Sequence, residues 1–438
     1  MNSRLVFYTI TAALGGLLFG YETAVINGAI PFLTRYFELT AAAKGYAISS
    51  ALFGCIAGAL LIGRPGDKYG RKKMLKLTAL LFFSSAIGCG LASGIPTLII
   101  FRFIGGIAVG GASVMSPLYI SEISPPQYRG RLIVTFQLAI VTGILLAFFV
   151  DYLLIDSGPD NWRYMLFSMA IPALTFYLLL MFVDESPRWL VKEEKIEEAR
   201  HVLMKINPEN DADQTIRNIQ DSIDNELIQK SATLFKAGYF KLILIGCAIG
   251  MFNQFTGINI VMYYTTDIFR SVGYSTNSAI AQTVAIGSVN LVFTILAMRL
   301  IDIYGRKKLL LTGTLGMAVL LGLFSFKFLT ASSGGYALLF SLLGFTAFFA
   351  SSQGAVIWVL LAEIFPNNIR ARGTSIGSFS HWFFNGMTTF LFPVIINLSH
   401  GNIGIGYVFG FYSIMTFISF FVFRKYLMEL KGRALESV

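Results

Sequence analysis

The stretch GRPGDKYGRKK at residues 63–73 and its second copy, RLIDIYGRKK at residues 299–308, decide the fold of this chain. A second pair of motifs, EISPPQYRG at 122–130 and EIFPNNIR at 363–370, recurs in the same order and at nearly the same spacing. Two motifs repeated in order indicate that one unit of the chain has been duplicated. Each motif follows a long apolar stretch, so we predict that the duplicated unit is a bundle of membrane-spanning helices.

The composition also indicates a membrane protein. Of the 438 residues, 55% are hydrophobic and only 13% are charged, whereas a soluble domain usually carries about 25% charged residues. This deficit excludes an ordinary soluble enzyme, a nucleic-acid-binding domain and a disordered chain. The three cysteines lie in apolar stretches without metal-binding spacing, so we expect buried free thiols and no metal site.

A helix that crosses a bilayer needs about 20 mostly apolar residues. By this measure the chain contains twelve candidate spans, which cover roughly residues 6–33, 46–63, 74–94, 96–120, 132–154, 162–183, 241–266, 278–300, 308–329, 334–362, 373–397 and 404–424. The first span is too long for a cleaved signal peptide and contains Glu22, so we interpret it as a permanent helix. The predicted fold class is an all-α membrane protein with two pseudo-symmetric six-helix halves.

The loop charges predict the orientation in the membrane. Lys and Arg residues of the short loops lie mainly after even-numbered spans, which places these loops and both termini in the cytoplasm. The net charge of +10 is therefore a topology signal, and no nucleic-acid partner is needed to explain it. We predict an N-terminal six-helix half at 1–183, a cytoplasmic linker with amphipathic helices at 184–240 and a C-terminal six-helix half at 241–438. The protein as a whole is predicted to reside in the cell membrane.

Acidic and basic residues stand side by side in the repeated cytoplasmic motifs. Such pairs are individually weak, about 0–1 kcal/mol when exposed, which suits a switch between two states of similar energy. The alternative is that the basic loops only fix the topology. With the charged residues that open the linker, the predicted cytoplasmic gating residues are Asp67, Arg71, Glu122, Arg129, Glu185, Arg188, Asp302, Arg306, Glu363 and Arg370.

The chain resembles the sugar porter branch of the major facilitator superfamily over nearly its whole length. Besides the loop motifs, the resemblance rests on GGLLFGY at 15–21, RFIGG at 102–106, WRYM at 162–165, ESPRWL at 185–190 and NQFTGIN at 253–259. The usual tail motif is degraded to MELKG at 428–432. The resemblance implies alternating-access transport of a monosaccharide, a functional monomer, and no cofactor besides a coupling proton.

A sugar offers a ring of hydroxyl groups and an apolar face, so its site should combine amides with aromatic rings. Amides inside spans are costly unless they face a cavity or a partner, and bonding between helices is the alternative reading here. The resemblance adds a glycine, aromatic residues and one histidine to these amides. The predicted substrate site comprises Gln137, Asn253, Gln254, Asn259, Asn290, Gly354, Trp358, Phe19, Tyr263, Tyr264, His381 and Trp382.

Several positions depart from the sugar porter pattern. Asn253 is one methylene shorter than the family's glutamine, Ile144 replaces a second fifth-span glutamine, and Ala355 replaces a proline. His381 stands where relatives often carry Gln or Asn; it can bond a sugar hydroxyl or a neighbouring helix. Gln254 and Asn259 would lie roughly 140° apart on a continuous helix, so both can border a wide cavity or one can bond a neighbouring helix. The sequence does not identify the sugar.

Glu22 is the most informative single residue because a charge deep inside a span is costly and usually functional. Counting helical rise from each end of the two spans places Glu22 and Arg102 at similar depths, which predicts an ion pair. The resemblance implies that an acid at this position binds the coupling proton. The alternatives are a permanent structural pair in a passive uniporter and a transport-dead sugar sensor.

Overall fold

The computed structural model describes residues 2–206, 211–229, 239–330, 336–365, 369–399 and 401–427. Within these ranges the chain forms eighteen helices. Those of the first 229 residues are α1 (Ser3–Tyr36), α2 (Ala41–Tyr69), α3 (Arg71–Gly90), α4 (Ile95–Ile123), α5 (Arg129–Leu154), α6 (Asn161–Ser168), α7 (Ala170–Leu179), α8 (Pro187–Lys192), α9 (Ile196–Ile206) and α10 (Ala212–Gln229).

The remaining helices are α11 (Phe240–Gln254), α12 (Ile258–Ser271), α13 (Thr276–Tyr304), α14 (Arg306–Leu329), α15 (Tyr336–Ser351), α16 (Gln353–Glu363), α17 (Arg370–Leu398) and α18 (Asn402–Tyr426). Eleven helical stretches among the described residues are long and apolar enough to cross a membrane. Each matches a predicted span. The remaining predicted span, 373–397, lies inside α17, which is 29 residues long and carries several buried polar side chains.

Three of the predicted spans are broken helices. The break at residues 255–257 separates α11 from α12, and Gly257 adopts a left-handed conformation with φ of 77° that favours glycine. A second break lies at Ser352, between α15 and α16, and a third lies between α6 and α7. Broken helices free backbone groups for a ligand and are frequent at transporter binding sites.

The linker contains short helices, as its hydrophobic spacing predicts. Ser186 caps the first of them, α8, by accepting a hydrogen bond from the backbone N–H of Trp189 at 3.3 Å. The buried side of α9 is apolar and consists of Ala199, Val202, Leu203 and Ile206, whereas the acidic residues of its first turn are exposed. The predicted break at Asn207-Pro208 lies outside the described residues.

The chain divides into two compact units. The first contains residues 1–22, 53–144 and 166–232, and the second contains 23–52, 145–165 and 233–438. The unit boundaries therefore fall inside α1, α2, α5 and α6 and differ from the predicted halves. The reason is physical: a long helix can pack against different partners at its two ends.

Candidate functional site

A chain of buried polar side chains joins five helices of the second unit. The Asn259 amide, at the start of α12, donates to Gln254 Oε1 at 2.6 Å. Gln254 Nε2 donates to Asn253 Oδ1 at 3.1 Å and also contacts the His381 ring at 2.9 Å. Asn253 Nδ2 in turn donates to Gln353 Oε1 at 3.2 Å. The structure thus brings together three of the five predicted amides and the predicted histidine.

The direct bond between Gln254 and Asn259 corrects the estimate of their separation. A continuous helix would place them roughly 140° apart, but α11 ends at Gln254 and α12 begins at Ile258. Because the helix is broken between them, the two side chains turn towards each other. His381 belongs to α17 and contacts α11 through Gln254, so it does bond a neighbouring helix.

Aromatic rings lie beside the amides. The rings of Trp358 and His381 are 4.8 Å apart, and those of His381 and Trp382 are 5.3 Å apart. Tyr263 and Tyr264 are buried in α12, and the Tyr264 hydroxyl donates to the Thr389 carbonyl at 2.8 Å. Tyr264 therefore links α12 to α17 by a hydrogen bond.

The other predicted sugar-site residues occupy several elements. Asn290 is buried in α13, and Gly354 lies in the first turn of α16. Gln137 in α5 and Phe19 in α1 are half-buried and belong to the first unit. All four lie within membrane-spanning helices.

Sequence reasoning missed two polar members of the amide chain. Gln353 is completely buried and links Asn253 to Thr314, because its Nε2 donates to the Thr314 hydroxyl oxygen at 3.3 Å. The available signal was weak: Gln353 is an amide within an apolar span, directly before the predicted Gly354.

Glu22 and Arg102 form a buried ion pair in the first unit. Arg102 Nη1 lies 2.7 Å from Glu22 Oε1, and the two side chains are only 2% and 4% exposed. The same nitrogen donates to the backbone carbonyl oxygen of Glu22 at 3.3 Å, whereas Arg102 Nε has no hydrogen-bond partner among the described residues. Gly105 allows this approach, since a Cβ there would come within 2.8 Å of Glu22 Oε1.

A second buried carboxyl group lies in α5. Asp151 is completely buried; its Oδ2 accepts from the backbone N–H of Gly28 at 3.2 Å, and its Oδ1 has no hydrogen-bond partner within the described ranges. Asp151 forms no ion pair within the described part of the chain. Asp151 was not predicted from the sequence, although an acid within an apolar span is the same signal that identified Glu22.

A charged cluster surrounds Arg71 at the predicted cytoplasmic end of the first unit. The Arg71 guanidinium donates to both oxygens of Glu122, with two bonds of 3.0 Å, and lies 3.1 Å from Asp67. Glu185 accepts the backbone N–H groups of Arg71 and Lys72 at 2.9 and 3.0 Å. These acceptors hold the start of α3 by its free backbone donors.

Burial and hydrogen bonding affect the two linker carboxylates differently. Burial raises the pKa of Glu185 above its ordinary value, although it accepts several backbone N–H bonds. Burial would also raise the pKa of Asp184, but the hydrogen bonds from Tyr8 and Lys205 outweigh it, and the pKa is lowered. Asp184 therefore stays ionised and joins the linker to α1 and α9, with bonds of 2.6 Å from Tyr8 and 3.0 Å from Lys205.

The other predicted gating residues are less well defined. Arg129 is exposed and forms no ion pair among the described residues, and Arg188 and Arg306 lie in the first turns of α8 and α14. The side chains of Asp302, Glu363 and Arg370 lie outside the described residues. The structure thus groups Asp67, Arg71, Glu122 and Glu185.

A further set of contacts, which the sequence analysis missed, lies at the predicted extracellular end of the second unit. Asn27 of α1 donates to the Met262 carbonyl at 2.6 Å and accepts from the Thr266 backbone N–H at 3.1 Å. Lys44 of α2 forms an ion pair with Asp267 of α12. These contacts join the ends of α1 and α2 to α12.

Comparison with known proteins identifies the relatives of the chain. The family described as "Sugar (and other) transporter" matches residues 8–438. The D-xylose-proton symporter of Escherichia coli (strain K12) is 39% identical over 477 aligned residues, which cover 100% of this chain and 96% of that protein. The arabinose-proton symporter of Bacillus subtilis (strain 168) is 36% identical, with 99% and 94% covered.

A solved structure shares the fold. The inward-open conformation of the xylose transporter XylE from E. coli matches with a TM-score of 0.87 and 36% sequence identity, covering 99% of this chain and 98% of that one. This match confirms the predicted fold class, an all-α membrane protein of the major facilitator type.

Proposed function

The chain belongs to the sugar transporter family, a family of transporters and not of enzymes, and we propose that it carries a monosaccharide across the cell membrane together with a proton. Its similarity to symporters named for xylose and arabinose supports a pentose or hexose as substrate. The proposed protein acts as a monomer with both termini in the cytoplasm, and needs no cofactor besides the coupling proton.

The buried Glu22–Arg102 pair is the observation that carries this proposal. A buried ion pair is costly to desolvate, and removing the charge of one partner leaves the other uncompensated. When Glu22 takes up a proton, Arg102 loses the negative charge that faces it, and its described acceptors become a neutral carboxyl oxygen and the backbone carbonyl of Glu22, at 3.3 Å. The packing around Arg102 then becomes unfavourable, and rearrangement of the helices relieves it. Glu22 is thus the proposed proton site, and Arg102 transmits its state.

The amide chain and its aromatic neighbours supply the proposed sugar site. Asn259 and Trp358 are partly exposed, whereas Asn253 and Gln254 are buried. An indole face covers the apolar face of a sugar, and amides match its hydroxyl groups as both donors and acceptors. Gln137 and Asn290 are proposed as additional amide contacts from α5 and α13, with Gly354, Tyr263, Tyr264, Trp382 and Phe19 shaping the site.

The charged and polar contacts at the two ends of the helices are the proposed gates. The Arg71 cluster is the proposed cytoplasmic gate of the first unit, and the contacts of Asn27 and Lys44 with α12 are the proposed extracellular gate. Contacts made in one state and broken in the other shift the population of states by their free energy.

The test of proton coupling uses purified protein in proteoliposomes. Addition of D-xylose or D-glucose outside should alkalinise the external medium as the sugar enters. Glu22→Gln should abolish uphill accumulation but preserve sugar exchange between the two sides, because exchange requires no net proton movement. Clear sugar uptake without any proton signal would reject symport.

A passive uniporter is the second candidate, and the observation that favours it is the bond from Arg102 to the backbone carbonyl of Glu22, which does not depend on protonation of the carboxyl group. A pair that never leaves this environment is a structural element only. The same experiment separates the two candidates, because a uniporter equilibrates the sugar and responds to Glu22→Gln with a change in rate, not in accumulation. Binding of sugar without any flux would instead indicate a sugar sensor.

A further inference from the structure

Each hydrogen bond of the amide chain in the second unit has a defined direction. The Thr314 hydroxyl has one hydrogen, and it donates this hydrogen to the Leu310 carbonyl at 2.7 Å. Towards Gln353 the hydroxyl oxygen can therefore only accept, so Gln353 must present its Nε2. The Gln353 carbonyl then faces Asn253, which must present its Nδ2.

The directions of the remaining hydrogen bonds, up to the sugar site, are fixed in the same way. With its nitrogen turned to Gln353, Asn253 offers only its carbonyl to Gln254, which presents Nε2. Gln254 directs its other N–H to the His381 ring, whose Nδ1 and Nε2 lie 2.9 and 3.1 Å away, and the ring nitrogen that receives this hydrogen is an acceptor. The Gln254 carbonyl is left to accept from Asn259. Asn259 uses one N–H for this bond, and its side-chain carbonyl has no hydrogen-bond partner among the described residues.

We propose that Gln353, held by Thr314, is a positioning residue that sets the donor and acceptor pattern of the sugar site from outside it. This inference rests on the proposed function. Without this anchor, the amides of Asn253 and Gln254 can each rotate by half a turn, and the direction of the chain is lost. With it, Asn259 presents a carbonyl that accepts a hydrogen bond from a sugar hydroxyl.

The lengths of Gln353 and Asn253 are matched. Asn253 is one methylene shorter than the glutamine typical of the resembling family, and Gln353 spans the remaining gap at 3.2 Å. Both side chains are almost completely buried, so a gap between them cannot be filled without moving a helix. Exchanging the two side-chain lengths should therefore restore the bond, whereas shortening Gln353 alone should break it.

Equilibrium binding of D-xylose, D-glucose and their monodeoxy and monofluoro derivatives to the purified protein tests this inference. A fluorine cannot donate a hydrogen bond, so the wild type should bind one monofluoro derivative about 3- to 10-fold more weakly than its parent sugar, the effect of one hydrogen bond. Gln353→Asn should remove this discrimination while still binding both sugars. The double variant Asn253→Gln with Gln353→Asn should regain it.

Two further variants separate positioning from general damage. Thr314→Val keeps the side-chain shape but removes the acceptor that orients Gln353, so it should reduce the same discrimination. Ser325→Ala, also in α14, removes a buried bond to the Gly406 carbonyl and should leave the discrimination unchanged. A purely structural role of Gln353 would weaken the binding of all sugars in proportion.

The outcomes distinguish this inference from the proposed function. Discrimination that persists in Gln353→Asn, or that the double variant fails to restore, overturns the positioning role and leaves sugar transport intact. If the wild type binds no monosaccharide at all, both the proposed function and this inference are rejected.

Discussion

Replacing Asn27 by alanine should open the extracellular end of the transporter. Asn27 is completely buried and joins α1 to α12 by bonds to the Met262 carbonyl, the Thr266 backbone N–H and the Thr266 hydroxyl. The alanine variant loses all three bonds in the closed state. It loses nothing in a state where α1 and α12 have separated.

The magnitude follows from the number and kind of these bonds. Each hydrogen bond contributes about 0.5–1.5 kcal/mol, which sets an upper range of several kcal/mol for three bonds. Met262 and Thr266 lie four residues apart on α12, so their backbone groups can bond each other when Asn27 is absent, which recovers part of the loss. We expect a net shift of about 1–3 kcal/mol, or about 5- to 150-fold in the equilibrium between the two states.

Double electron–electron resonance measures this shift as a change in the distance between two spin labels. Spin labels at Ala42, at the start of α2, and Leu398, at the end of α17, are exposed at the same end of the second unit. Asn27→Ala should transfer population to longer distances. The control Thr283→Ala removes a buried hydroxyl that bonds only within α13 and should not. An unchanged distance distribution in Asn27→Ala would refute the assignment of these contacts as a gate.

Three further predictions concern charged side chains. Lys44→Gln should shift the same distance distribution in the same direction, by a smaller free energy of about 0–1 kcal/mol. Exchanging the charges of Lys44 and Asp267 should restore the wild-type distribution. A failure to restore it argues against a gating pair. Asp151→Asn should keep the thermal stability of the wild type because its side-chain oxygen still accepts the backbone N–H, whereas Asp151→Ala should lower the melting temperature; equal losses would contradict this. Because the folded-state pKa of Asp184 is lowered, its contribution to stability is present above the unfolded value of about 3.9 and is lost as the pH falls through the folded value. Asp184→Asn should therefore flatten the dependence of melting temperature on pH below about pH 4, and an unchanged slope would count against it.

The sequence predicted the features that depend on composition and on depth in the membrane. Apolar length located the spans, and helical rise placed Glu22 and Arg102 at one level, where the structure pairs them. The amides Asn253, Gln254 and Asn259 were identified because a polar group inside a span needs a partner or a cavity. Apolar length, depth in the membrane and the cost of a buried polar group do not depend on which helices are neighbours.

The sequence could not predict features that depend on helix breaks and on neighbours. The break before Gly257 leaves the composition of the span unchanged, so the span reads as one continuous helix. On a continuous helix the side chains of Gln254 and Asn259 would point apart, so the sequence gives no reason to expect a bond between them. Gln353 and Asn27 depend on partners in distant segments, Thr314 and Thr266, which the linear pattern does not bring together. Asp151, near the end of α5, is difficult to distinguish from a loop acid.

The energetics of the Glu22–Arg102 pair favour a role in coupling over a structural role. Apolar residues can often replace a buried ion pair without loss of stability, so stability alone gives little reason to place one inside a span. The surroundings are also not optimised for a permanent bond, because Arg102 Nε has no hydrogen-bond partner in the part of the chain that the structure describes. A pair that must form and break during each cycle needs a buried cation whose favourable contacts depend on one carboxylate. In the proposed mechanism, protonation of Glu22 removes that carboxylate charge, and through this dependence a proton would change the packing of the helices.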